Sequence, residues 1–484
     1  MTTLDLRIKL KRSKVITGES LPVEVTLENE GGSPVEVPDP TVGSDLQYTV
    51  TSRTEPKVVR YLSWALATAE RTLDPPPSRQ LPGHTLAPGA KELYDEDLAA
   101  YQVPVLGPGA YDLTVAHDGP QGHLESAGVA VTIAPPHVVR MTTGAGITED
   151  RVAVLFAHLT DGKQATVYQI ENQSGRPGDG VAFPRKELAQ ASELRGLAVA
   201  TELEDNAGKR WWAWMDGKEI GAGVGHGRYV SRLATPVAHG LHGASLSPVG
   251  WQPSNDEAWF VALGGGAGGH VALVAASFRL SAPGTVKAIP IAGQAVPDAW
   301  AAQFQAAGSD PQLELVTAEH VGHTAKVTRQ TLALGSGKVV RPATSIERPG
   351  PVAAMAMAPV SQGNGANSVV DLLFGPDPKT GYLSLLRFPL AGGTARAAWN
   401  FSAPKNTNGK RPTTWAIPRT PLDPPMVVTH VGDKIYVRRV GGDWSVVVDG
   451  VPHVEHLAIE AFREGQVVAV WSDPAFGIRY HAIP

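Results

Sequence analysis

The chain of 484 residues contains no cysteine. That excludes disulfides, thiolate zinc sites and cysteine nucleophiles at once. No apolar run approaches the roughly 18 residues that a membrane helix needs, so membrane insertion is not expected. No block of five consecutive basic residues occurs, and the formal net charge is −5, which argues against nucleic acid as a partner. The N-terminus, MTTLDLRIKL, enters a strand-like alternation directly, without a basic-then-apolar leader. A cytoplasmic protein is the expectation, with release as part of a particle left open.

What is plentiful is glycine (52) and proline (40), scattered rather than periodic, in a chain 42% hydrophobic. Such punctuation fits many short strands joined by turns. Residues 1 to about 135 read as a β-sandwich. Leu4, Leu6, Ile8 and Leu10 alternate with polar neighbours, as do Val23, Val25 and Leu27, the period of half-buried strands. Arg7 and Lys9 fall on the wet face of the first strand, where basic residues discourage edge pairing. The segment VVRYLSWALATAERTL, 58 to 73, is the one stretch that reads as a helix. The acidic residues Glu92, Asp95, Glu96 and Asp97 read as a solvated loop.

The stretches ITGESLPVEVTLENEGGSPVEV, TLAPGAKELYDEDL and GPGAYDLTV resemble the immunoglobulin-like sandwich of the bacterial intracellular proteinase inhibitor family. The resemblance covers about a quarter of the chain and implies an immunoglobulin-like fold for residues 1–135. Inhibition of a proteinase by this region would require a reactive loop, and none is identified.

After a stiff connector, IAPPHVVRM (133 to 141), the grammar changes. A strand of small residues leads repeatedly into a strongly apolar strand and a tight turn. GLAVAT (196 to 201) precedes RWWAWM, GASLSPV precedes AWFVAL, and AWAAQF precedes LELVTA. VAAMAMAPV precedes VVDLLF, TWAIP precedes MVVTHV, and HLAIEAF precedes QVVAVW; RVAVLF (151 to 156) stands before them all. Seven units spaced by about 40 to 60 residues point to a β-propeller over residues 140–484, seven blades being the expected number. Small residues suit the innermost strands, which crowd around a central channel. The fold class expected is all-β: an immunoglobulin-like sandwich followed by a propeller.

Gly264, Gly266 and Gly269 match G-x-G-x-x-G, but no acidic residue lies between Glu257 and Asp298 to hold a ribose. The run is expected to be a hairpin tip, and no cofactor is expected. The pairs His239/His242, His320/His323 and His453/His456 place residues three apart. On a strand these face opposite sides, so they are read as ordinary loop histidines and no metal is assigned. Trp211, Trp212 and Trp214 put an aromatic on each face of one strand. The exposed face would stack on a sugar or anchor a partner protein. Glu460, on an inner strand, is the best-placed carboxylate for glycoside chemistry, ahead of Asp256 and Glu257.

With no catalytic motif found, the leading expectation is a non-enzymatic protein-interaction or structural subunit of a larger bacterial or phage-type assembly, with a protein partner. The alternatives are a carbohydrate-active propeller, glycosidase or lectin, with a glycan ligand, and proteinase inhibition through residues 1–135.

Overall fold

The computed structural model of the chain describes residues 4–17, 21–38, 46–54, 58–62, 83–98, 107–119, 122–145, 151–160, 164–173, 180–181, 185–201, 209–226, 229–252, 257–266, 270–279, 285–290, 296–305, 312–357, 369–389, 397–404, 412–418, 424–461, 467–475 and 477–483. The chain divides into two compact units, Met1–Pro136 with Ala475–Gly477, and His137–Pro474 with Ile478–Pro484.

The first unit is a two-sheet sandwich. One sheet runs Leu4–Leu10, Pro22–Asn29, Lys91–Asp97; the other runs Lys14–Ile16, Val129–Ala134, Gly109–Gly119, Leu46–Ser52, Val58–Leu62. The alternation read in the sequence sets the register: Leu6 stands opposite Leu27 and Ile8 opposite Val25, all buried in one core with Tyr48, Leu113, Val115 and Val131. The Lys14–Ile16 strand pairs in parallel with Val129–Ala134, so the chain's start contributes to both sheets. Tyr111 donates its hydroxyl to the Gly107 carbonyl at 2.8 Å, closing the corner before its strand in the manner of a tyrosine corner. Asn29, fully buried, donates to the Ser33 and Leu86 carbonyls and accepts from the Gly31 amide, so it ties two turns together.

Two local expectations are corrected. Val58–Leu62 is a strand paired with Leu46–Ser52, because β-branched and aromatic residues there meet a ready sheet edge; residues 63–73, with Trp64, lie outside the described residues. Glu92, Asp95 and Glu96 lie on the strand Lys91–Asp97 rather than on a loop, with Lys11 on Asp95 and His84 on Glu92.

The second unit is a seven-bladed propeller. Its innermost strands are Val138–Ala145, Gly196–Thr201, His242–Gln252, Ala299–Gln305, Val352–Met357, Thr414–Ala416 and Leu457–Ala461, each leading a sheet of its own. Each meets the next in turn, and Leu457–Ala461 returns to Val138–Ala145, closing the ring. Among the described residues, the leading and following segments read from the repeats fall on inner and second strands. The first blade has an inner strand of its own, Val138–Ala145, within and beyond the connector. The last blade takes its outermost strand from Gly180–Val181, which pairs with Gly477–Ile483.

Both faces of a blade are buried against its neighbours, so second strands lose their alternation: VVDLLF, MVVTHV and VVAVWSD are buried throughout. The glycine run closes a hairpin, with Gly266 donating to the His270 carbonyl at 2.7 Å between Glu257–Gly265 and Val271–Arg279. A Cβ on Gly264 would lie 2.6 Å from that of Ala244, so close packing explains that glycine without a nucleotide.

Candidate functional site at the channel mouth

At the end of the ring where the inner strands begin, a cavity of about 500 Å³ opens across four consecutive blades. The fifth blade supplies Ala353 and Gly375, the sixth Thr413, Thr414 and Trp415, the seventh Glu455, His456 and Leu457, and the first Met141. The placement follows from the chain: Ala353, Thr413, Thr414, Trp415, Glu455, His456 and Leu457 precede or open inner strands, Gly375 follows the second strand Val369–Phe374, and Met141 lies within Val138–Ala145. A repeated clamp holds these starts. Thr413 N donates to the His430 carbonyl, Ser472 N to the His456 carbonyl, and Gly375 N to the Pro351 carbonyl.

The side chains are fixed by partners deeper in the blades. His430, buried, donates Nε2–H to the Val451 carbonyl at 2.8 Å, which leaves Nδ1 as an acceptor for the Thr413 hydroxyl at 3.1 Å. The Thr413 proton is thereby directed inward, and its oxygen keeps lone pairs for a ligand donor. The Thr414 hydroxyl is buried without a partner among the described residues. Trp415 is half-buried, its ring 6.1 Å from that of Trp444, and Trp444 is anchored through Nε1 to the Ser402 carbonyl.

His456 bridges the seventh blade to the first through the backbone of Val138 and Val139. Burial holds its pKa below the ordinary imidazole value; Glu455 opposes that shift, Arg140 adds to it, and the backbone bonds oppose it. The shift favours the neutral ring. Glu455 is exposed and is the only carboxylate lining the cavity among the described residues.

The residues singled out from sequence lie elsewhere. Trp211 and Trp212 are fully buried, Trp211 in the core between the second and third blades and Trp212 in that between the first and second. As placed, neither offers a face to a ligand. Trp214 is partly buried against the latter core and lies across Gly221, where a Cβ would come within 2.4 Å of the indole. Glycines 221 and 223 face Trp214 and Trp212 across the sheet, so the WWAWM and IGAGVG segments are matched halves of blade packing. Glu460 is 2% exposed and accepts from the Thr143 hydroxyl at 2.5 Å, a bond that joins the seventh blade to the first. Glu257 opens a strand, and Asp256 lies outside the described residues.

The histidine pairs are engaged singly: His239 with the Asp216 carbonyl, His320 with the Val352 amide, His453 with Glu455. Among the described residues, the one cluster with metal-ligating spacing is Asp5, Glu28 and Glu30, and Arg7 pairs with all three. Sequence reasoning missed Trp415, Thr413 and Glu455. The sole signal was TWAIP as a leading strand, since a strand's first residues face the mouth.

No family profile and no curated protein matches the sequence. Among solved structures, the NanB sialidase of Streptococcus pneumoniae is similar at 10% identity and a TM-score of 0.35, over 99% of this chain and 92% of that one. A neuraminidase-like protein from a bat isolate from Guatemala is similar at 8% identity and a TM-score of 0.31, over 64% of this chain and 87% of its own. The sporulation control protein of Bacillus subtilis is similar at 7% identity and a TM-score of 0.17, over 35% and 80%. The expectation of a non-enzymatic interaction or structural subunit does not stand: sialidases and neuraminidase-like proteins fall on the side of its alternative, the carbohydrate-active propeller. Likeness at this level concerns the fold, and the chemistry rests on the residues of the mouth.

Proposed function

We propose that the channel mouth binds an uncharged carbohydrate. The observation that carries this reading is one cavity combining a half-buried indole, Trp415, with a hydroxyl oriented from behind, that of Thr413. A sugar ring presents C–H bonds on one face, which suit the negative face of an aromatic ring, and hydroxyls on its rim, which need fixed donors and acceptors. Glu455 accepts from two such hydroxyls, and His456 in its neutral form adds no charge. A ligand bearing its own carboxylate would meet Glu455 and be repelled.

Binding is favoured over hydrolysis by the spacing of acids. The two-carboxylate route needs partners about 5 to 10 Å apart. Glu460 lies five residues beyond Glu455, roughly 15 Å along an extended chain, and its carboxylate is turned into the blade interface.

A glycan array probed with the full chain and with Trp415→Ala tests the reading. Neutral glycans are expected to score with the parent, to weaken about tenfold or more in the variant, and to be recovered uncleaved. A silent array from folded protein, or hits indifferent to Trp415→Ala and Thr413→Val, would overturn it. Cleavage of a bound glycan would replace binding with glycosidase action.

A further inference from the structure

Trp415 carries the aromatic half of the channel mouth, yet its backbone fixes its place and not its aim. Thr414–Ala416 spans three residues, whereas the other inner strands span five to eleven. A strand ladder also leaves side-chain torsions free. A half-exposed indole has roughly six staggered orientations, three in χ1 and two in χ2. Choice among them falls to whatever packs on the ring.

Trp444 packs there from outside the cavity. It precedes Ser445–Asp449, the outermost strand of the sixth blade, and does not line the opening. The turn before it is tight: Gly441 takes a φ of 92°, and the Gly442 amide donates to the Arg439 carbonyl at 3.0 Å. The chain doubles back and lays the Trp444 ring beside Arg438 and against Trp415, the two indoles inclined at 57°. Trp444 is itself fixed on three sides. Its Nε1 donates to the Ser402 carbonyl at 2.8 Å, which sets rotation in the ring plane. Phe401, 4% exposed on the outermost strand of the fifth blade, meets it edge-on at 6.1 Å and 62°. The Arg438 guanidinium stands 5.1 Å from the Phe401 ring and 6.0 Å from that of Trp444, a cation against two aromatic rings. Ser402 and Phe401 belong to the fifth blade, so Trp444 spans the joint between the two blades.

We infer that Trp444 is a positioning residue of the mouth: without touching a ligand, it holds the Trp415 indole in the orientation that stacks on a sugar. This role rests on the reading of the mouth as a carbohydrate site. A ring confined beforehand need not be ordered by the ligand. A ring free among several orientations binds only in proportion to the fraction that is competent.

Trp444→Leu keeps an apolar side chain at the joint while removing the ring and its N–H. In that variant the strongest neutral glycan of the array is expected to bind about three- to sixfold more weakly, the dilution of a ring released among its staggered orientations. Trp444→Phe restores an aromatic ring and is expected to recover part of that loss. In a Trp415→Ala background, Trp444→Leu is expected to cost nothing further, because its effect passes through the ring already removed. The ring is also read without ligand, by fluorine NMR of the full chain labelled with fluorotryptophan, the Trp415 signal being the one absent from Trp415→Phe. Its transverse relaxation is expected to slow in Trp444→Leu, as the freed indole gains ps–ns motion. Unchanged relaxation, or a glycan loss that persists in the Trp415→Ala background, would overturn the inference. A silent array together with slowed relaxation would overturn the carbohydrate reading and leave Trp444 as the residue that fixes Trp415.

Discussion

In the sandwich, ion pairs lie at the surface: Lys11 with Asp95, Arg53 with Asp112, and Arg7 among Asp5, Glu28 and Glu30. In the propeller, pairs are also enclosed between sheets, as Glu314 with Arg329 and Asp371 with Arg387 are. The difference comes from the number of buried faces. A sandwich sheet keeps one face wet, so a charged residue needs only the right parity to reach water. A blade is covered on both faces, so a charge on its second strand stays inside and must be answered by a neighbour. Asp371, within VVDLLF, is met by Arg387 through two bonds of 2.7 and 2.6 Å from the strand directly opposite.

The sharpest way to break that comparison is Asp371→Ala. Removing one partner leaves the Arg387 guanidinium, 13% exposed, without its answering charge, and a loss of about 3–5 kcal/mol in propeller stability is expected. Thermal or urea unfolding measures it. The double variant Asp371→Leu with Arg387→Met is expected to recover most of the loss, because the cost lies in the stranded charge and not in the absence of a pair. A single variant costing less than about 1 kcal/mol would show that water reaches the blade interface and that the contrast with the sandwich is false.

Glu96 tests the sandwich's side of the comparison, since here a sandwich carboxylate is drawn inward. Burial raises its pKa from 4.5 to about 7, against an opposing hydrogen bond from Tyr48. The folded state thus holds a proton between those values that the unfolded chain has released. Stability from this group is full below 4.5 and is lost as pH rises toward 7. Glu96→Gln is expected to remove this slope and to stabilise the protein at pH 8 by on the order of 2 kcal/mol, with little effect at pH 4. His456 in the propeller has the opposite sign: its folded pKa lies below 6.5, so stability is intact above that value and falls with acid. Unfolding midpoints of the parent and Glu96→Gln across pH 4–8 separate the two contributions. Parallel curves would show that Glu96 is ionised in the fold.

The same difference in burial governs what could be read from sequence. Leu4, Leu6 and Ile8 announce a one-sided sheet by their spacing, and the blades announce themselves by repetition. Parity fails where both faces are covered. Trp211 and Trp212 look like an inward and an outward residue, yet both are buried, because the glycines opposite Trp212 and Trp214 admit indoles on the second face as well. Glu460 reads correctly as an inner-strand acid, but its role in joining the ring depends on Thr143, 317 positions away, which no local pattern reveals. The mouth is assembled from residues of four blades, each unremarkable alone; only ring closure makes them neighbours. Glu96 was hidden for the converse reason. Four acids in six residues look like solvent-facing loop, and only the paired strand shows one of them turned inward.

The smallest effect is expected at Arg53 and Asp112, where geometry is good and environment is poor. Arg53 donates to Asp112 through Nε at 3.0 Å and also through Nη2, a forked pair that holds the carboxyl below its ordinary pKa, chiefly through that side-chain hydrogen bond. Yet the two side chains are 49% and 42% exposed, so water and salt compete for each charge at every moment. The residues already stand on ordered backbone, Asp112 within Gly109–Gly119 and the Arg53 amide bonded to the Ala110 carbonyl, so neither needs the other to be placed. Arg53→Ala and Asp112→Asn are therefore expected to leave the unfolding midpoint within experimental error, in low salt as in high. A measurable loss that vanished in salt would show that an exposed fork contributes what a buried one does, and would remove burial as the variable that distinguishes sandwich from propeller.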